Sequence, residues 1–289
     1  MIYNFTISHI NNNIKLNVVT HDIDNPSIVL IHLHGLGNHF QHIFESTDSF
    51  HNRVSILKPY NILSYALELS GHGLSSGTRF YTNDISEYLS DLNTLIQYIS
   101  LHHPLLPIHL MGESMGGAIA IKYSMIYKNI SSVILLAPMC GVSLISSYSS
   151  YKIYIMLFLS YIFPYSKLID KNNNNSSYNE KYLEEKEKCN YTNHENLRLA
   201  TGRECYNIMN YINNNINEFI TPVIAFHSKL DETTEYTITE NFINKCNSTN
   251  KKIILYEEGT HNLLIERNEN DIYPKIILET ISKWLCDIH

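Results

Sequence analysis

Six short runs of almost unbroken apolar residues set the terms for this chain: Ile28–His34, residues 60–67, Ile108–Met111, Ser132–Ala137, Pro222–His227 and Lys252–Tyr256. A strand with one wet face alternates apolar and polar residues. A run that is apolar on both sides needs cover on both sides, as in a parallel sheet. Segments of helical spacing lie between the runs, at 84–101, after Ser114, and near 203–212, 235–246 and 272–286; in the first, Ile85, Tyr88, Leu89, Leu92, Leu95, Ile96 and Ile99 fall on one face. Strand alternating with helix predicts an α/β fold, a mostly parallel sheet with helices on both faces. Residues 2–7 and 14–19 alternate around an Asn-rich turn and read as an antiparallel hairpin, which brings the expected sheet to eight strands.

The 289 residues suffice for one such domain with an insertion. Residues 142–205 break the rhythm. Tyr148–Phe163 is aromatic or aliphatic on nearly every side, Asn172–Tyr178 is polar, and Glu180–Lys188 is a charged helix. The expectation is a core at 1–141 and 206–289 with a helical cap, or lid, at 142–205. The apolar cap run is too short for a spanning helix, which needs about 20 residues. It suits a wall for a long acyl chain, with Tyr151, Tyr154 and Phe158 as candidate substrate contacts, and a transient contact with a membrane surface.

The chemistry starts at Gly112-Glu113-Ser114-Met115-Gly116-Gly117. An apolar strand precedes this Gly-x-Ser-x-Gly and a helix follows it, the context of a nucleophile elbow. The glycines let the chain double back, and the helix start leaves backbone N–H groups free beside the serine. A serine hydroxyl needs an imidazole to take its proton and a carboxylate to orient that imidazole. In open α/β sheets such groups sit on loops beyond the strands' C-terminal ends. Asp231 follows the strand ending at His227, and His261 follows the strand ending at Tyr256, which makes Ser114, Asp231 and His261 the candidate triad. The developing oxyanion needs two preorganised donors. The Met115 amide is one, and the glycine-bearing His34-Gly35-Leu36-Gly37 turn offers the Leu36 amide as the other.

A net charge of −7 without a basic run excludes a nucleic-acid surface. Five scattered cysteines with no CxxC pair suggest free thiols in a reducing compartment. The first residues lack a basic segment followed by a long apolar one, so no signal peptide is expected, and the location expected is cytoplasmic or peripheral on membranes. His32 and His34 share a strand face without a third ligand at suitable spacing, so no metal is expected; no cofactor is expected either.

Taken together, His34-Gly35-Leu36-Gly37-Asn38-His39, Gly71-His72-Gly73-Leu74-Ser75-Ser76-Gly77 and the Ser114 motif resemble the monoglyceride lipase and lysophospholipase group of α/β-hydrolases. Asp231 and Gly259-Thr260-His261 stand where that group has its acid and base. The resemblance implies the α/β-hydrolase fold with a lid, no cofactor, and a serine esterase or lipase acting on the fatty-acyl ester of a monoacylglycerol or lysophospholipid. Asn38 and His42 occupy places where monoglyceride lipases often carry an acidic residue and an arginine, and are candidate head-group contacts. Glu68 and Ser228 stand where the group more often has Asp and Gly. The same triad would serve a short-chain carboxylesterase, a thioesterase or an acyltransferase. An inert lipid-binding protein on this fold is the alternative of another class.

Overall fold

The computed structural model describes residues 1–9, 14–41, 49–141, 150–169, 179–265 and 271–288, with the backbone alone at Ser150 and Tyr151. His42, one of the candidate head-group contacts, lies outside these residues, as does the side chain of Tyr151.

Eight strands form one sheet: β1 (Ile2–Ser8), β2 (Lys15–His21), β3 (Ile28–Leu33), β4 (Ile62–Leu67), β5 (Ile108–Glu113), β6 (Ser132–Leu136), β7 (Val223–Ser228) and β8 (Lys251–Tyr256). Their order is β1-β2-β4-β3-β5-β6-β7-β8. β1 and β2 pair antiparallel, β2 meets β4 antiparallel, and every later pairing is parallel. The runs of β3, β4, β6 and β7 are buried throughout and that of β5 all but its last residue, whereas β8, at the sheet's edge, is exposed at Lys251 and Lys252 and only partly buried beyond them, because no further strand covers it.

Helices α1 (Phe50–Leu57), α2 (Ser86–His102), α3 (Met115–Tyr127), α4 (Ser150–Ile162), α5 (Glu180–Lys188), α6 (Leu199–Asn214), α7 (Tyr236–Lys245) and α8 (Tyr273–Asp287) complete the framework. Alternate strand residues feed two cores. Val29, Ile31, Leu33, Leu110, Val133 and Ala225 face the side covered by α2, α3, α6 and α7. Ile28, Leu30, Met111, Ile134 and Phe226 face Leu57 of α1 and Ile277, Leu278, Ile281 and Leu285 of α8. The period of two along each strand is what splits the apolar residues between these faces.

Helix α1 was not anticipated from the sequence. Ser49 caps it by accepting the Asn52 N–H at 3.3 Å, and Phe50, Val54 and Leu57 are buried. Helices α4 and α5 form an insert between β6 and α6, outside the strand–helix alternation. Tyr154, Ile155, Phe158, Tyr161 and Ile162 leave an apolar face of α4 open to solvent, with Tyr154 and Phe158 70% and 65% exposed. Among the described residues no helix is long and apolar enough to cross a membrane.

Candidate active site

Ser114 lies between β5 and α3 with φ 51° and ψ −115°, a conformation that costs an L-residue on the order of 1–3 kcal/mol. The surroundings impose it. A side chain at Gly112 would run into the Gly116 carbonyl, and one at Gly116 into the Leu33 carbonyl. The Ser114 carbonyl accepts N–H groups from Gly117, Ala118 and Met139, and its own N–H donates to Leu136 at 3.1 Å. Met115 opens α3, so its N–H belongs to the first turn, which has no intrahelical acceptor.

The turn after β3 passes directly against this elbow, with Gly35 so close that a methyl group there would touch the Ser114 Cβ at 3.2 Å. Two buried histidines support the turn. His34 donates from Nδ1 to the Gly35 carbonyl at 2.8 Å and accepts the Leu69 N–H at Nε2. His72 donates from Nδ1 to the Ser70 carbonyl at 3.1 Å and accepts the Gly37 N–H at Nε2. Each ring is therefore neutral. Burial lowers the pKa of both, that of His34 to about 4.

Glu68, at the end of β4, joins three segments. Its carboxylate accepts the Phe40 N–H at 3.0 Å, the Leu74 N–H at 2.6 Å and the Asn17 side-chain amide at 3.0 Å. Burial pushes its pKa above the ordinary value despite the opposing effect of these donors. Glu68 and Ser75 together hold the Gly-His-Gly loop against the end of β4. The Ser75 hydroxyl donates to the Glu68 carbonyl and accepts the Asn17 N–H.

The side chain of Asp231, beyond β7, is fully buried, and its carboxylate accepts five donors. Its Oδ2 takes His261 Nδ1–H at 2.8 Å, the Thr234 hydroxyl at 2.9 Å and His227 Nε2–H at 3.1 Å. Its Oδ1 takes the N–H groups of Thr233 and Thr234 at 2.7 and 3.0 Å. Burial alone would raise this carboxyl, but the charge of His261 and the hydrogen bonds from both histidines hold it well below the usual carboxylate range. Sequence reasoning missed His227 and Thr234 as partners of Asp231. The available signal was a histidine closing the strand four residues before Asp231. The Ser228 hydroxyl donates to the Gly259 carbonyl at 3.0 Å and accepts the Leu230 N–H at 3.1 Å, fastening the loop that carries Asp231 to the loop that carries His261. Thr234 also reaches the Ala137 carbonyl at 3.3 Å, beside the Met139 that bonds to Ser114.

Glu113, next to the serine, forms an ion pair with Arg53 of α1, whose guanidinium lies over Phe40 at 5.6 Å. Asn38 sits half-buried on the β3 turn, its side chain accepting the His39 N–H. Tyr154 and Phe158 lie on the exposed face of α4. Among the described residues no three His, Cys, Asp or Glu side chains gather as a metal ion would require.

An open, mostly parallel eight-stranded sheet with a serine at a strand–helix elbow, and a buried carboxylate–histidine pair at the ends of later strands, defines an α/β-hydrolase. The family model described as serine aminopeptidase, S33, matches residues 24–268, and the chain belongs to that family. It is 33% identical to a monoacylglycerol lipase of Mycolicibacterium smegmatis over 124 residues, 43% of this chain and 41% of that one. That match thus spans under half of either chain. Over 265 residues it is 23% identical to the monoglyceride lipase of Rattus norvegicus, covering 90% of this chain and 82% of the relative. A solved soluble variant of the monoglyceride lipase from Saccharomyces cerevisiae shares the fold at a TM-score of 0.80, with 18% identity and 99% and 95% of the two chains covered. The chain is a serine hydrolase of monoglyceride-lipase-like type.

Proposed function

We propose that this protein is a lipase that hydrolyses the fatty-acyl ester of a monoacylglycerol. Ser114 Oγ attacks the ester carbonyl while His261 Nε2 takes its proton. Asp231 fixes His261 with Nδ1 protonated and stabilises the imidazolium that forms. The amides of Leu36 and Met115 receive the oxyanion. His261 then protonates the departing glycerol oxygen, and a water activated by the same imidazole clears the acyl-enzyme. One observation carries the reading above the others: the 2.8 Å bond from His261 to a carboxylate that is itself fully committed to donors. That arrangement presents an imidazole with a free Nε2 lone pair, which is what a serine needs.

The choice of substrate rests on the monoacylglycerol and monoglyceride lipases among the relatives and on the apolar insert. In this reading residues 142–205 serve as a lid. The exposed face of α4, with Tyr154 and Phe158, rests on the lipid surface from which substrate is drawn, and Asn38 meets the glycerol. A lysophospholipid is the second acyl ester this site would take.

The test is labelling of the intact protein by a fluorophosphonate, followed by turnover of monoacylglycerols, lysophosphatidylcholine and short esters side by side. Ser114→Ala is expected to abolish labelling and to lower kcat by roughly 10⁴–10⁶. Undiminished ester turnover by that variant would overturn the reading. Faster turnover of short soluble esters than of monoacylglycerol would replace it with a carboxylesterase.

A further inference from the structure

The turn that carries Leu36 is held from two sides. Beneath it lie His72, which accepts the Gly37 N–H, and Glu68, which accepts the Phe40 N–H. The other side belongs to the insert, in a segment distant in sequence. The Asn193 N–H donates to the Gly37 carbonyl at 3.0 Å. His39 directs Nε2 to Cys189 Sγ at 3.1 Å and to Thr192 Oγ1 at 3.2 Å, and its ring meets that of Tyr191 edge-on at 5.7 Å. Because His39 Nδ1 accepts the Gln41 N–H, the proton resides on Nε2 and the ring is a donor toward the insert. Burial keeps it neutral by lowering its pKa to about 3.

The fit is close. Gly37 has φ 73°, and a methyl group there would come within 2.7 Å of Asn193 Cβ. The insert segment is itself compact. His194 Nε2 donates to the Cys189 carbonyl, the Tyr191 N–H to Cys189 Sγ, and Arg79 bridges the Tyr191 and Gly73 carbonyls at 3.1 and 2.7 Å. The same part of the insert reaches the other catalytic loop, since Tyr182 of α5 packs on Ile265, four residues beyond His261.

From this geometry we propose that His39 is a positioning residue: it latches the Cys189–Asn193 segment onto the Gly35–Asn38 turn, so that the Leu36 amide takes its working orientation only while the insert is seated. The proposal rests on the hydrolase mechanism above and adds to it a dependence of the oxyanion site on the insert. The two peptide groups following Leu36 are fixed by His72 and by Asn193, so loss of the upper contact frees the turn to rotate while Ser114, His261 and Asp231 stay in place.

The experiment uses the full chain and a short soluble p-nitrophenyl ester, which needs no lipid surface. His39→Ala is expected to lower kcat by about 10- to 100-fold, short of the roughly 10²–10³ for an oxyanion donor removed outright. KM should stay within about threefold, since the interaction matters in the transition state. His39→Gln, whose side-chain amide can stand in for Nε2–H, should recover most of the rate, and the shorter His39→Asn should not. Cys189→Ala with Thr192→Val should reproduce the loss and add little to His39→Ala, as expected of groups acting through one contact. Hydrogen exchange at the Asn193 amide should speed up in His39→Ala. An unchanged kcat, independent losses in the combined variant, or a Gln variant no better than Ala would each overturn the latch. If His39→Ala fails to fold, the Cys189/Thr192 variant gives the same comparison. Failure of the wild type to react with a fluorophosphonate would count against the hydrolase mechanism, while exchange at Asn193 still reads the latch.

Discussion

Replacing Asp231 by Asn separates this site from one that merely contains a serine and a histidine. The carboxylate satisfies five donors, three at Oδ2 and two at Oδ1. An asparagine has one oxygen. If that oxygen serves the backbone N–H groups, its NH2 faces His227, Thr234 and His261. The cheapest relief is for His261 to give up the Nδ1 proton, accept from the amide, and carry its proton on Nε2. The ring then points an N–H at Ser114 and cannot act as a base. A wrong tautomer of this kind costs about 10⁴ in kcat, or about 5 kcal/mol of transition-state stabilisation. Steady-state hydrolysis of a p-nitrophenyl ester at pH 7 measures it, with Glu232→Gln as control. More than a tenth of wild-type kcat in Asp231→Asn would refute the assignment, most sharply if Glu232→Gln collapsed instead. Stability gives a second readout. Asp231 titrates below its unfolded value near 3.9, so its contribution is present above that pH and is lost as pH falls through the lower folded value. The gap in Tm between wild type and variant should therefore shrink toward acid.

Ser228→Ala removes the tie between the acid and base loops; kcat should fall about tenfold and stability by about 1–2 kcal/mol, measured by ester turnover and urea unfolding. Glu68→Ala strands the Phe40, Leu74 and Asn17 donors, at about 1–3 kcal/mol for each buried group left unpaired, and should lower stability and kcat together. Asp91, buried beneath Ser70, has its pKa pushed by burial up to about 7. Its folded value lies above its unfolded one, so its contribution is fully present below pH 4 and declines by up to about 1.4 kcal/mol per pH unit as pH rises toward 7. Asp91→Asn should flatten that part of the pH–stability curve, which thermal melts between about pH 4 and 7 would detect.

Much of this architecture was legible in the chain because its signals are local. The buried strands announced themselves as unbroken apolar runs, and β3, β6 and β7 lie within a residue or two of where composition put them. Ser114 was legible because an elbow needs glycine on both sides within five residues. Asp231 and His261, the candidate acid and base, could be nominated from strand ends and chain order, and the structure brings the two side chains within hydrogen-bond distance. Helix α1 escaped notice although Phe50, Val54 and Leu57 share one face, because eight residues offer only two turns of periodicity. The partners of Glu113 and His39 could not be read at all. Arg53 stands 60 residues from Glu113, and Cys189 stands 150 from His39, so these pairs exist only once the sheet and the insert have come together. His227 lay in plain view as the end of a strand, but its service to Asp231 depends on a loop that folds back over four residues.

Glu68 couples the edge of the sheet to the turn opposite Ser114. One carboxylate gathers a side chain from β2, a backbone amide from the turn after β3 and another from the loop after β4. The edge hairpin, the turn that faces Ser114 and the Gly-His-Gly loop thus share a single acceptor, so whatever displaces the hairpin also releases the Phe40 end of that turn.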